Sequence, residues 1–159
     1  MINTNINQVY EKLWHKNREV LINEDGKLRT YLKIKTHFGF EKYLELINSF
    51  QNRKCVTKFR ISQHKLKIEI GRYTKPFTPA NQRICDKCNL NSVEDELHHF
   101  HDCPRFVNAR DELFQYISIS NKNFQRLSPS NKLYWVFNCE NQNILLKTSV
   151  FLLEAGCVS

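Results

Sequence analysis

Residues 83–104, RICDKCNLNSVEDELHHFHDCP, gather three cysteines, three histidines and a run of three acids, Glu94 to Glu96, into one short window. Cys85 and Cys88 form a C-x2-C pair, a spacing that lets a tight turn present both sulfurs to one tetrahedral ion, and Cys103 supplies a third thiolate. His98, His99 and His101 compete for the fourth position. A C2H2 finger would count twelve residues from Cys88 to His101, but its last ligand would then fall on Arg105, Phe106 or Val107, none of which binds zinc. With Cys103 as the last ligand, His98 gives C-x2-C-x9-H-x4-C, and His101 is the next candidate. Ser92 followed by Asp95 fits a capping-box start, which would place His98 in the second turn of a short helix. Cys103-Pro104 would then open the next helix, where free backbone N–H groups favour a thiolate. Glu94, Asp95 and Glu96 are expected to cap the helix or to hydrogen-bond the ligand histidine.

The rest of the chain sets the fold class around this window. Its 159 residues suit one domain with a real core, and 41% apolar residues with only four glycines and four prolines fit a mainly α, helical single domain. Val9, Leu13, Val20 and Leu21 predict a helix over about 7–23, closed by NEDG, and Leu28 to Phe38 a second ending at Gly39. Phe40, Tyr43, Leu44, Ile47 and Phe50 recur at helical spacing and predict the buried face of a third. A fourth is expected from about 52 to 62, continuing towards Ile70 and stopped by Gly71. Pro76 and Pro79 make residues 76–82 a connector. Beyond the window, Phe106, Ala109, Leu113 and Ile117 mark one inward face, Ser128-Pro129 starts a helix through Phe137, and Ile144 to Ala155 form the last, with Gly156 as its stop. The expected organisation is an N-terminal helical half (1–75), the connector (76–82), the knuckle (83–104), with a tiny β-hairpin at most, and C-terminal helices (104–159) packing on the first half.

The formal net charge of +8 is concentrated. Between Arg53 and Lys75 lie Arg53, Lys54, Lys58, Arg60, Lys65, Lys67, Arg72 and Lys75 against the single acid Glu69, a net +7 in that segment alone. Such an excess is the electrostatic footprint of a polyanion partner, because Lys and Arg neutralise phosphates and release counterions. Tyr73 and Phe77, interleaved with these cations, add rings on which bases could stack. RNA or DNA is therefore the expected partner, with neither a membrane nor a small-molecule substrate. The N-terminal residues lack a leader pattern and no run approaches the roughly 18 apolar residues of a membrane span, which predicts an intracellular protein whose clustered cysteines hold a metal rather than disulfides. Cys55, Cys139 and Cys157, and likewise His15, His37 and His64, read as ordinary core or surface residues.

RICDKCNLNSVEDELHHFHDCPRF resembles the cysteine-rich segment near the C-terminus of reverse transcriptases from LINE-like, non-LTR retrotransposons, where C-x2-C, an acidic turn and H-x4-CP followed by an aromatic recur. LRTYLKIKTHFGFEKYL, KFRISQHKLKIEIGRYTKPFTP and NKLYWVF are similar to the flanking segments, so the resemblance covers roughly residues 10–155. It implies Cys85, Cys88, His98 and Cys103 as ligands of one structural zinc, and a module that helps a polymerase hold template or target. His99 and His101 stand where that family usually has apolar residues. No YxDD-like strand for paired magnesium ligands and no endonuclease motif occurs, so the chain is expected to be non-catalytic. The alternative is a zinc-stapled interaction or relic structural module that binds no nucleic acid.

Overall fold

In the computed structural model, which describes residues 2–22 and 26–158, the chain is mainly helical. Its α-helices are α1 (Ile2–Ile22), α2 (Arg29–Ile34), α3 (Tyr43–Leu46), α4 (Phe50–Arg60), α5 (Lys67–Ile70), α6 (Val107–Ser120), α7 (Pro129–Asn138) and α8 (Gln142–Glu154). Both sides of the knuckle share one core: α4 packs on α8, α2 on α7, and α6 on α8. Phe59 stacks on Phe137 at 5.0 Å, while Phe100, from the knuckle itself, meets Phe151 edge-on at 5.8 Å. The cysteine–histidine window is thereby rooted in the core. Among the described residues, no helix is long and apolar enough to cross a membrane.

Helix ends follow the chemistry of their residues. Ser49, Ser128 and Asn141 each accept a backbone N–H from the first turn of α4, α7 and α8, satisfying donors that have no partner inside the helix. Gly156, at φ +65°, ends α8 in a Schellman motif, with Cys157 N–H bonding Leu152 O and Gly156 N–H bonding Leu153 O. The closing stretch expected for α1 includes residues 23–25, which lie outside the described residues.

Three expected helices are shorter than their periodicity suggests. α2 ends at Ile34, because Lys35 turns extended at ψ 97°, and does not run on to Phe38 and Gly39. α3 is a single turn: Tyr43 and Ile47 are buried, but Phe40 and Phe50 stand in solvent, because the chain breaks at Ile47 and α4 restarts from its Ser49 cap. α4 does not run on to Ile70. It stops at Arg60 because Ser62 adopts a left-handed φ of +55°, with Gln63 N–H bonding Lys58 O and Ser62 N–H bonding Phe59 O. The chain then dips inward, burying His64 and Leu66 before the single turn of α5. Gly71 follows, where a Cβ would lie 2.7 Å from Cγ, Cδ and Nε of Arg83; glycine is what lets Arg83 pass and bond Ile68 O and Thr78 O at the entrance to the knuckle.

Candidate metal centre

The knuckle begins as a minimal hairpin. Ile84 bridges Val93 in antiparallel fashion, flanked by Cys85 N–H to Ser92 O and Glu94 N–H to Arg83 O, both 2.9 Å. The turn between them carries the C-x2-C pair, with Asn91 at φ +51° helping the chain double back. Asp95, rather than Ser92, then caps the following helix: its Oδ1 accepts from His98 N–H at 2.8 Å, placing His98 in the first turn. Ser92 Oγ instead donates to Leu90 O, so the expected capping box does not form.

The H-x4-C spacing is met by a π-turn over His98–Asp102. In an α-helix, residues five apart point about 140° away from each other. Here Cys103 N–H bonds His98 O at 2.7 Å, five residues back, so the wider turn returns Cys103 above His98 and both side chains face the C-x2-C loop. The ligand atoms of Cys85, Cys88, His98 and Cys103 all lie within 4.8 Å of one another. Cys88 Sγ is 3.4 Å from His98 Nε2, close to the ~3.6 Å edge that Zn–S and Zn–N bond lengths give a tetrahedron. Among the described residues, this Cys3His cluster can hold a metal ion.

No family model, curated protein or solved structure matches the chain. Burial pushes the Cys85 thiol up to about 12 and raises Cys103, while backbone N–H groups of Lys87 and Arg105 oppose the shift by donating to the two sulfurs. A bound cation reverses that balance, because it binds the thiolate and displaces its proton.

The other two histidines are excluded by position. His99 is fully buried, both ring nitrogens lack hydrogen-bond partners, and its ring lies 4.7 Å from that of Phe106; burial lowers its pKa to about 3, and it serves as a neutral aromatic of the core. His101 bonds Asp102 Oδ1 at 2.8 Å, outside the cluster. His98 Nδ1 is buried without a partner, so none of the three acids supplies the hydrogen bond considered for it. They act elsewhere. Glu94 accepts from Lys67 N–H at 2.9 Å and Lys87 Nζ at 2.5 Å, tying α5 to the hairpin. Glu96 joins Arg29 at 2.6 Å, Ser62 at 2.7 Å and His64 at 2.9 Å, and Arg29 also holds Glu69 at 2.5 Å. Burial alone would raise the Glu96 carboxyl, but His64, the Arg29 charge and Ser62 outweigh it and hold the group at about 2. His64, read as ordinary, is part of this network; nothing local in the sequence pairs it with a residue 32 positions away.

The basic segment does not form one face. Arg60 is 1% exposed: its guanidinium meets Glu41 at 2.7 Å, the Phe137 carbonyl and the Tyr43 ring, so it cannot reach a phosphate, which corrects its expected role. Arg53 turns back to the carbonyls of Leu44 and Ile47, Lys67 pairs with Asp86 at 2.7 Å, and Arg72 with Glu69 at 3.1 Å. Lys54 and Lys58 sit one turn apart on the partly exposed side of α4, and Lys65 and Lys75 are exposed. Tyr73 and Phe77 are exposed, with Arg83 5.4 Å from the Phe77 ring.

Proposed function

We propose that this chain is a non-catalytic, zinc-stapled helical module that binds RNA or DNA, comparable to the retrotransposon reverse transcriptase tail its knuckle resembles. The observation that carries the reading is the Cys3His cluster closed by the π-turn and rooted in the core through Phe100. Three thiolates and one imidazole are the donor set of a structural zinc, and four protein ligands fill its tetrahedron, leaving no open position for a reacting water. The metal's task is then to fix the hairpin, and with it the neighbouring basic surface. That surface retains Lys54, Lys58, Lys65, Lys75, Tyr73 and Phe77 as the groups turned outward.

One observation favours the protein-interaction reading: α1 leaves Ile6, Val9, Leu13 and Val20 exposed along one side. A salt titration separates the two. Fluorescence anisotropy of a labelled single-stranded oligonucleotide should show log K falling linearly with log salt, and Lys54→Ala and Lys75→Ala should each reduce the slope by about 0.7. A scrambled peptide of the 53–75 segment binding as tightly as the folded protein would leave only generic charge attraction, and the interaction-module reading would stand instead.

A further inference from the structure

The 21 residues of α1 span about 30 Å, and little in their own sequence sustains so long a helix. Ten of them are asparagine or β-branched, with neither an acid in the first turn nor a base in the last, so propensity and dipole both give weak support. Such a helix depends on packing. One side is packed: Trp14 meets Phe38 at 6.3 Å, and Arg18 donates to Leu32 O at 2.9 Å and to Lys35 O at 3.1 Å, which ties α1 to α2. Ile6, Val9, Leu13 and Val20 lie about a third of a turn further around the helix, and they are exposed. They fall on the a, d, a and a positions of one heptad frame, the seam along which helices pair, and Lys16 occupies the d position between Leu13 and Val20. With Tyr10 and Leu21 beside them, these side chains leave on the order of 500 Å2 open, near the upper end for the largest apolar patch on a monomer. The chain as a whole is strongly basic, but α1 holds Lys12, Lys16 and Arg18 against Glu11 and Glu19, a net +1 of the chain's +8. Two copies can therefore meet here with little repulsion.

We propose that α1 is a dimerisation surface on which two copies of this chain pair their apolar stripes as an antiparallel coiled coil. Lys16 sets the direction. A parallel, in-register pair would place Lys16 against its own symmetry mate, two like charges across a desolvated seam. Antiparallel pairing instead sets Lys16 against the partner's Leu13, and Val9 against the partner's Val20, with the lysine stem over the leucine and its ammonium reaching water. A contact of this kind is self-complementary and closes at two copies. It buries on the order of 1,000 Å2 over both chains, the lower limit for a specific interface, which predicts micromolar association rather than an obligate dimer. The single polar position in the seam weakens the pair and fixes its register. The inference goes beyond the nucleic-acid reading and stands whether or not that reading holds, since it uses none of the exposed lysines of the basic segment.

Sedimentation velocity of the full zinc-loaded chain, run from about 5 to about 200 µM, should show monomer giving way to dimer as concentration rises. Added salt should leave that equilibrium in place, because the contact is apolar. Leu13→Glu, at an already exposed position, should keep the chain monomeric across the range, whereas Ile119→Glu, at the most exposed apolar residue of α6, should change nothing. Lys16→Leu completes the seam and should tighten the dimer at least about tenfold, a gain that no loss of folding can imitate. Hydrogen exchange should slow in α1 as concentration rises and stay constant in α6. An unmodified chain that remains monomeric at about 200 µM overturns the proposal and leaves the nucleic-acid reading untouched. A dimer that survives Leu13→Glu, or that Lys16→Leu fails to tighten, places the contact on another surface and overturns it as well.

Discussion

Cys103→Ser is expected to strip the metal from the chain and to lower its melting temperature by about 10–20 °C. Zinc binding to small modules is largely folding free energy, about 10–16 kcal/mol in isolated fingers. Here the helical core packs by its own apolar contacts, so only the share that holds the hairpin and π-turn is lost, about 5 kcal/mol; at roughly 2–4 °C per kcal/mol for a chain of this size, that gives the stated shift. Cys103 also positions the following chain, since Arg110 donates to its carbonyl at 2.9 Å, a bond that serine leaves in place. The substitution therefore isolates the sulfur. Calorimetry with elemental analysis reads both effects, and Cys139→Ser, which alters a half-buried thiol outside the cluster, should retain one metal per chain and nearly the original stability.

Arg29→Ala is the second large effect, at about 3–5 kcal/mol of lost stability, and it involves no metal ligand. Arg29 lies between Glu69 and Glu96, whose side chains are 5% and 2% exposed. Removing one partner of a buried ionic network leaves the others desolvated and unpaired, which costs more than the pair contributed net. Two carboxylates would then face each other's field, with Arg72 as the remaining cation beside Glu69 and only the hydrogen bonds of Ser62 and His64 at Glu96. Chemical denaturation of the zinc-loaded protein should show the midpoint fall without change in metal content. Unchanged stability would mean that water replaces the guanidinium without penalty.

The window at 83–104 was legible because metal coordination is a local, discrete constraint: four donors at fixed spacing leave few solutions. The helical class and the Ser128 and Gly156 boundaries were legible for the same reason, since caps act through neighbours in sequence. Periodicity misled where the chain turns sharply. Phe40 and Phe50 have helical spacing from Ile47 yet point to solvent, and Ser62 in the left-handed region ends α4 where serine carries no strong stop signal. A π-turn has no signature beyond the H-x4-C count itself, although that spacing is incompatible with an α-helical ligand pair.

Charge was the least legible property. A run of eight cations reads as one surface, but Arg60 is drawn into the core by Glu41 and the Phe137 carbonyl, and Arg53 by two carbonyls. Guanidinium forks satisfy buried acceptors that a lysine would reach less well, so arginines went inward while Lys54, Lys58, Lys65 and Lys75 stayed towards solvent.

X-ray absorption at the zinc edge on the purified chain reads the ligand set of the knuckle itself. One zinc per chain with three sulfurs at about 2.3 Å and a single nitrogen at about 2.0 Å, losing that nitrogen in His98→Ala and keeping it in His99→Ala and His101→Ala, is the predicted result. A folded chain carrying no metal, or a shell with two nitrogens, would contradict it.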